Sequence, residues 1–133
     1  MTISKYANDL MMDAALSWVK TNGVKMYVCT ASISSASAVS YTKITSTAAL
    51  TGAISISSLA SVALATGDVS GRKLAVPEKA SVTVTASGTA ARVCLVNSSG
   101  NVVTYVTTCT SQALTSGNTV TIPTWDIEVA DPS

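Results

Sequence analysis

TAARVCLV (Thr89 to Val96), NSSG (Asn97 to Gly100) and NVVTYVTTCT (Asn101 to Thr110) together form the stretch that decides the fold. Two runs rich in β-branched and aromatic residues flank a short polar segment that ends in glycine, a pattern typical of a β-hairpin. If the polar segment is a four-residue loop, the register of the hairpin follows from it. The predicted cross-strand pairs are Leu95 with Val102, Cys94 with Val103, Val93 with Thr104 and Arg92 with Tyr105.

This pairing places apolar side chains on both faces of the hairpin. One face is expected to pack on an opposing sheet. The other face carries Arg92 beside Tyr105 and needs a cover of its own, which the N-terminal helix, a long tract of small residues or another subunit could supply. Arg92 and Tyr105 are therefore candidate interface residues.

Outward from the hairpin, residues 67–133 show short alternating runs of apolar and polar residues separated by turn residues. This spacing is typical of β-sandwiches and jelly rolls. We expect a single domain over residues 1–133 with a β-sandwich body over 67–133. The predicted fold class is mainly β, an antiparallel β-sandwich or jelly-roll-like module with one N-terminal α-helix.

The helix is predicted over residues 4–22. Asp9 and Asp13 come early and Lys20 lies near the end, as the helix dipole favours. Gly23 is expected to stop the helix in a left-handed conformation. Apolar side chains at helical spacing predict the face that packs on the sheet, and its tryptophan is expected to anchor it. The residues of that face are Leu10, Met11, Ala14, Ala15, Trp18 and Val19.

Residues 31–66 are rich in Ala, Ser and Thr, and Lys43 is their only charged residue. The uncharged stretch 48–67 is nearly long enough to cross a bilayer, but its many hydroxyl side chains disfavour insertion, so a membrane is not an expected partner. We expect the tract to be an arm or a long loop that lies on a partner protein. Its candidate contact residues are Ile54, Ile56 and Leu59.

Charged residues make up 11% of the chain and the net charge is +1, whereas about a quarter of residues are charged in ordinary soluble domains. Such a neutral surface favours a protein that is covered by others in an assembly. The eight Lys and Arg residues are scattered, which argues against nucleic acid as a partner.

The chain has no histidine, which removes the commonest general base and metal ligand. Asp126 and Glu128 lie two residues apart on a predicted strand and therefore point the same way. They could bind Ca²⁺ or act as the carboxylate pair of a cytoplasmic hydrolase, but a solvated strand face explains the alternation more simply. We predict that the chain is not an enzyme and needs no cofactor or metal.

Cysteines and aromatic residues are expected to pack rather than to react or bind. The three cysteines contain no CxxC pair and have no histidine or run of cations beside them, which indicates buried small hydrophobes made in a reducing compartment. Four aromatic residues could line a sugar-binding platform if they were exposed, but packing in a core or interface is favoured. The residues concerned are Cys29, Cys94 and Cys109, and Trp125, Tyr105, Tyr27 and Tyr41.

Several segments taken together suggest a family. They are KMYVCT (25–30) after the helix, GDVSGRKL (67–74), and YVTTC (105–109), GNTV (117–120) and PTWDIE (123–128) in the C-terminal part. In these segments the chain resembles small structural proteins of tailed bacteriophages, namely capsid decoration or cement proteins.

The resemblance implies a β-sandwich or jelly-roll module that binds the outside of an icosahedral shell and stabilises it. The implied partners are the major capsid protein and further copies of the chain, as a homodimer or homotrimer. The implied location is the capsid surface of a virion assembled in the host cytoplasm. A tail or fibre component that binds a receptor or carbohydrate is the alternative, because the same β architecture serves both.

Overall fold

The computed structural model describes residue 1, residues 5–33 and residues 39–132. It confirms the predicted fold class, since the chain is mainly β, with antiparallel sheets in a sandwich-like arrangement and one long N-terminal helix. The elements, in chain order, are α1 (Asp9–Asn22), β1 (Lys25–Cys29), α2 (Tyr41–Thr45), β2 (Ile54–Ser55), a 3-10 helix (Ser57–Ser61), β3 (Ala65–Thr66), β4 (Arg72–Val76), β5 (Lys79–Thr83), β6 (Gly88–Asn97), β7 (Val102–Leu114), β8 (Thr119–Ile122) and β9 (Trp125–Val129).

The described strands form three antiparallel sheets. Their orders are β2-β1-β6-β7, β3-β4-β9 and β5-β8. The predicted hairpin is present as β6 and β7. β1 adds to its other side and pairs Met26 with Leu95 and Val28 with Val93. The N-terminal strand is therefore next to the hairpin, although more than 60 residues separate the paired positions in the chain.

The register of the hairpin differs from the predicted one. Tyr105 lies opposite Leu95, and Arg92 lies opposite Thr108. The predicted pairing of Arg92 with Tyr105 is therefore wrong. Because successive side chains of a strand point to opposite faces, Arg92 and Leu95 lie on different faces of the sheet, and Arg92 does not share a face with Tyr105.

Two local features shift the register. Asn101 has φ = 52°, a left-handed conformation that asparagine tolerates better than most residues, and the side chain of Asn97 accepts a hydrogen bond from the Ser99 N–H (2.9 Å). Thr104 is then an extra residue on β7, a β-bulge. Its hydroxyl donates a hydrogen bond to the carbonyl oxygen of Asn22 at the end of α1 (3.1 Å). The bulge thus connects the hairpin to the helix.

Alternate side chains of β6 enter two separate hydrophobic clusters. Val93 and Leu95 point into the larger cluster, which the β4–β9 pair closes from the opposite side. Cys94 and Val96 point into the smaller cluster on the other face. The expectation that both faces of the hairpin carry apolar groups is confirmed. The side chains that β4 and β9 contribute are Leu74, Val76 and Ile127.

The tract 31–66 supplies the cover for the smaller cluster. In its described part, Ile33, Ile44 and Ala48 are at most 1% exposed and pack against the face of β6 that carries Cys94 and Val96. Of the three covers considered for this face, it is the long tract that occupies it.

Other residues of the tract complete the larger cluster. Ile56 and Leu59 are 0% and 1% exposed, and the Leu50 N–H donates a hydrogen bond to the carbonyl oxygen of Val28 in β1 (2.8 Å). Of the two expected forms, an arm or a long loop, residues 39–66 are a long segment with only short helices and strands. Its aliphatic side chains pack into the core of this chain. Residues 34–38 lie outside the described residues.

α1 begins at Asp9 in the described part of the chain, while residue 4, the predicted start, lies outside it. Asn8 is the N-cap, and its side-chain oxygen accepts a hydrogen bond from a first-turn N–H (2.8 Å). Gly23 ends the helix with φ = −83°, so the expected left-handed conformation is wrong. A glycine is still required, because a Cβ there would lie 2.9 Å from the carbonyl oxygen of Val19.

We expect Ile56→Ala to destabilise the fold by about 2–5 kcal/mol, because it opens a cavity in the larger cluster. Val69→Ala is the matched control, since Val69 is 96% exposed and should change the free energy of unfolding by no more than about 0.5 kcal/mol. Urea unfolding followed by circular dichroism measures both. An Ile56→Ala variant as stable as the wild type would mean that the tract does not belong to the core.

Candidate functional site

One buried face and one ion pair hold α1 against the sheets. Met12 and Leu16 are 2% and 1% exposed. From β4, Nε of Arg72 donates to Oδ1 of Asp13 at 2.7 Å, and a second guanidinium nitrogen donates to Oδ2 at 3.2 Å. The hydrogen bonding to Asp13 raises the pKa of Arg72, and the two-point contact fixes direction as well as distance. The rotation of α1 about its own axis is thereby set.

The opposite side of α1 is also apolar, but it faces solvent. Leu10, Met11 and Trp18 are 77%, 63% and 50% exposed. The remaining positions on this side are small or uncharged and are exposed as well. These residues together are called the outer face of α1. They are Leu10, Met11, Ala14, Ala15, Ser17, Trp18 and Thr21.

The helix therefore packs through a different face from the predicted one. Of the residues expected against the sheet, only Val19 packs against the larger cluster, and Trp18 does not anchor the helix. Periodicity failed here because both sides of α1 are apolar at helical spacing. The pairing of Asp13 with Arg72, which lies 59 residues further along the chain, selects the side that is buried.

A helix that is apolar on both sides is typical of helices with packing partners all round. Among the described residues, α1 has such partners on one side only. Tryptophan and methionine are enriched in protein interfaces, and charged residues are depleted at interface centres. Among the described residues, no helix has both the length and the apolar character that crossing a bilayer requires. The outer face of α1 is thus a candidate interface for another protein.

The predicted interface residues do not form one surface. Ile56 and Leu59 are buried, and Ile54 is half-buried against the larger cluster. Tyr105 stacks on Trp125 with ring centroids 6.0 Å apart. The remaining residue of the set, Arg92, is half-buried and donates to the backbone carbonyl of its neighbour Ala91 (2.9 Å).

The C-terminal acids are joined by a third acid that the sequence did not indicate. Carboxylate oxygens of Asp68, Asp126 and Glu128 lie within 4.8 Å of one another. The antiparallel pairing of β4 with β9 places Lys73 opposite Glu128, and Asp68 enters through the loop that precedes β4. Glu128 accepts a hydrogen bond from the Asp68 N–H (3.0 Å).

Lys73 holds this group of acids together. Its ammonium nitrogen is hydrogen-bonded to Asp68 and lies 3.3 Å from Oδ2 of Asp126. The hydrogen bond to Asp68 is the main reason why the pKa of Lys73 is raised, which keeps the ammonium charged. Two of the three carboxylates that a metal ion would need are therefore already paired with a cation of the chain itself.

The cysteines are free thiols that are poorly suited to nucleophilic chemistry. Cys29 and Cys94 are buried, and Cys109 is half-buried. A hydrogen bond to Cys29 and burial raise the pKa of Cys94, while burial raises the pKa of Cys109. Because the thiolate is the reactive form, both of these thiols are kept in the unreactive one.

The four aromatic residues of the predicted platform pack in two separate places. Tyr105 and Trp125 stack on each other against the larger cluster. Tyr27 and Tyr41 pack against the smaller one, and burial raises the pKa of Tyr27. They do not make one exposed row on which a sugar could stack.

β7 is the second open element. It is the last strand of its sheet, and of the described residues only those of β6 form backbone ladder bonds with it. Its 13 residues contain no charge, proline or glycine, although natural edge strands usually carry such residues to prevent pairing with other chains. Between β7 and the strands β8 and β9 lies a groove of about 370 Å³ whose lining includes Val93, Ile122 and Trp125.

Comparison of the chain with protein-family models, with curated proteins and with solved structures gave no match. Function is therefore inferred from the chemistry of the chain's own surfaces. Among these surfaces the outer face of α1 combines exposure, apolar character and a fixed orientation.

We expect millimolar Ca²⁺ to leave the melting temperature of the wild type unchanged, because the Lys73 ammonium already occupies the position between Asp68 and Asp126. Lys73→Met should leave three carboxylates close together without a cation, so that Ca²⁺ raises the melting temperature of this variant. Thermal unfolding with Ca²⁺ and with EDTA measures both. A clear rise for the wild type would show that a metal competes successfully with the ammonium, contrary to this assignment.

Proposed function

We propose that this chain is a non-enzymatic structural protein of a virus particle, which binds the outer surface of a phage capsid and stabilises it as a decoration or cement protein. The observation that carries the proposal is the uncharged outer face of α1. Three large apolar side chains of this face are exposed to solvent. The helix cannot rotate to bury them, because the ion pair between Asp13 and Arg72 holds it in place. Exposing such an apolar face to water is unfavourable for a monomer, whereas in an assembly the face can be buried against another protein.

The low charge of the chain supports the same proposal. Charged residues are 11% of the sequence, and the acids and thiols that were candidates for chemistry are engaged in packing, salt bridges or hydrogen bonds. A module whose task is to cover and bridge neighbouring subunits needs shape complementarity at repeated, symmetry-related sites and no reaction chemistry. No cofactor is required for this role.

Stabilisation by such a protein follows from the number of contacts. A symmetric shell offers the same site many times, so a rigid module that touches two subunits at once gains effective concentration for its second contact. The sandwich supplies the rigid body, while the outer face of α1 and the open edge of β7 supply separate contact surfaces. Neither surface depends on charge, which suits a contact that must persist at different salt concentrations.

A tail or fibre protein that binds a receptor or carbohydrate is the second candidate. The groove beside β7 favours it, because Thr107, Thr108, Thr110 and Asp126 contribute polar groups to a largely apolar lining that includes Trp125. A glycan array separates the two proposals. Specific glycan binding that is lost in Trp125→Ala would favour the tail or fibre role.

For the decoration role, we expect the purified protein to bind saturably to capsids that lack it, with a copy number in the range of the shell subunits. Leu10→Glu should lower occupancy strongly, because it places a charge within an apolar contact. Val69→Glu is the matched control, since it makes the same change at an exposed apolar residue outside α1. Quantitative mass spectrometry of washed particles measures occupancy.

Occupancy should also be nearly independent of salt between about 50 and 500 mM NaCl, because few charges are available to be screened. Release of the protein in moderate salt would contradict a neutral interface. A census of only a few copies per particle would place the chain in the tail instead of on the shell.

A further inference from the structure

We infer that β7 and the groove beside it accept an extended segment of a shell protein, which pairs with β7 as a further strand of the sheet. The inference deepens the proposed function and rests on it, since it names the kind of contact that this second surface makes. The chemistry of the partner follows from the backbone of β7, because outward N–H and C=O groups of a strand are matched by another extended backbone.

The hydrogen bonds of β1 determine which way the backbone groups of the sheet point. The Val28 N–H donates to the hydroxyl of Thr51 (3.1 Å), and the Val28 carbonyl accepts from the Leu50 N–H (2.8 Å). Both backbone groups of Val28 therefore point away from β6. In an antiparallel ladder, the residue opposite such a position also turns its backbone groups away from the pair.

The alternation continues across β6 to β7. Val93 lies opposite Val28 and therefore turns its backbone groups to β7, where Thr107 lies opposite it and takes up these bonds. The backbone groups of Val106 and Thr108, on either side of Thr107, then point outwards. Within the described part of the chain these groups join no ladder, and the Thr108 carbonyl accepts one long hydrogen bond from the hydroxyl of Thr107 (3.5 Å).

The groove adjoins this open edge and leads into the core. Its lining includes Thr107 and Thr108 at the edge of β7, together with Val93 and Ile122 of the larger cluster. A second hollow of about 260 Å³ continues it, since Val93, Cys109 and Ile122 line both. Every second side chain of a strand added beside β7 would point into this gap between the layers.

The lining indicates the side chains of the added segment. Among the described residues that line the groove and the second hollow, Asp126 is the one with a charge, and Nζ of Lys73 lies 3.3 Å from its carboxylate. Apolar side chains on the inner side of the segment would therefore meet apolar surface, while its outer side stays in solvent. A segment with alternating apolar and polar residues meets both conditions.

The open stretch of β7 is short. Its regular pairing with β6 is interrupted by the bulge at Thr104 and by a second irregularity between Thr108 and Gln112. A segment of about five residues, at 3.3 Å per residue, spans the regular part. It can bond to the N–H and C=O groups of Val106 and Thr108. One such contact is weak, but a shell that repeats it together with the contact of α1 gains by avidity.

A second copy of the chain does not meet the same conditions with its own β7. Tyr105 and Cys109 of β7 already pack against the larger cluster of their own molecule. Two β7 edges could bond through their backbones, but both grooves would stay without inward side chains. A segment that belongs to no sheet of its own can offer both, and the shell protein of the proposed function is the source to which the inference commits.

A synthetic peptide tests the added strand on the purified full chain, without capsids. In the probe, valine and threonine alternate between two terminal lysines. The control peptide has the same residues in an order in which no two valines are two positions apart. By NMR titration we expect saturable binding of the probe with a Kd below about 1 mM, and binding of the control at least about five-fold weaker. The amide protons of Val106 and Thr108 should exchange more slowly in the complex, because they point outwards in the free protein.

Two variants of one residue separate backbone bonding from side-chain contacts. Thr108→Pro removes an outward N–H at an edge position, where strands tolerate proline, and should weaken binding of the probe about ten-fold or more. Thr108→Val keeps the N–H and should bind like the wild type. Circular dichroism melts establish that each variant is folded, and if Thr108→Pro is not, amide exchange of the wild type decides.

Several results overturn the inference. They are an absence of binding and of amide protection at about 1 mM probe, equal binding of the two peptides, and a folded Thr108→Pro variant that binds like the wild type. A homodimer in sedimentation equilibrium that Thr108→Pro abolishes would show that a second copy occupies the edge. Glycan binding without peptide binding would assign the groove to a sugar.

The two proposals fail in different ways. On capsids, Thr108→Pro should lower occupancy and Thr108→Val should not. Full occupancy by a folded Thr108→Pro variant would leave the proposed function standing and overturn the shell segment at β7. A protein that binds the probe but never binds capsids would leave the strand-accepting edge standing and overturn both the capsid role and the shell as the source of the segment.

Discussion

The structure depends on one constraint, namely that β6 is apolar on both faces. Val93 and Leu95 require a cover on one side of the sheet, while Cys94 and Val96 require one on the other. The β4–β9 pair meets the first requirement as the second layer of the sandwich. The tract between β1 and β3 meets the second requirement with Ile44 and its neighbours. This role explains why its aliphatic side chains are buried although the tract has little regular secondary structure.

α1 packs against β4, β9, the 3-10 helix and one part of β7. Its inner side closes the larger cluster through Leu16, and the pair of Asp13 with Arg72 fixes its rotation. The larger cluster is filled without the outer side of the helix, so Leu10, Met11 and Trp18 remain exposed to solvent. The same low charge that lets the chain pack a sheet on both faces also leaves its surface with little to keep other proteins away.

The main elements outside residues 31–66 could be predicted from the sequence, but the exact register of the strands could not. The helix, the hairpin and the β-rich C-terminal half follow from local patterns of apolar residues. The register of the hairpin does not, because it depends on the left-handed conformation of Asn101 and on the bulge at Thr104, which bonds to Asn22. Both features involve single residues that no periodicity reveals.

The candidate site was missed for a related reason. Both sides of α1 have the spacing of a buried face, and a contact 59 residues away selects between them. Lys73 lies close to Asp68 in the chain, but its second partner, Asp126, lies 53 residues further along. Sequence alone indicated a neutral, adhesive surface, but it placed that surface on the tract 31–66, whose described aliphatic residues are needed inside the molecule.

The central claim is that the outer face of α1 becomes covered when the protein assembles, and Trp18 reports on this directly. The chain has two tryptophans, and Trp125→Phe leaves Trp18 as the remaining one while keeping a ring stacked on Tyr105 and removing an N–H without a hydrogen-bond partner among the described residues. Acrylamide quenching of Trp18 fluorescence should be strong in the dilute protein and fall markedly on the particle. Quenching that stays equally strong in the fully assembled state would contradict the account.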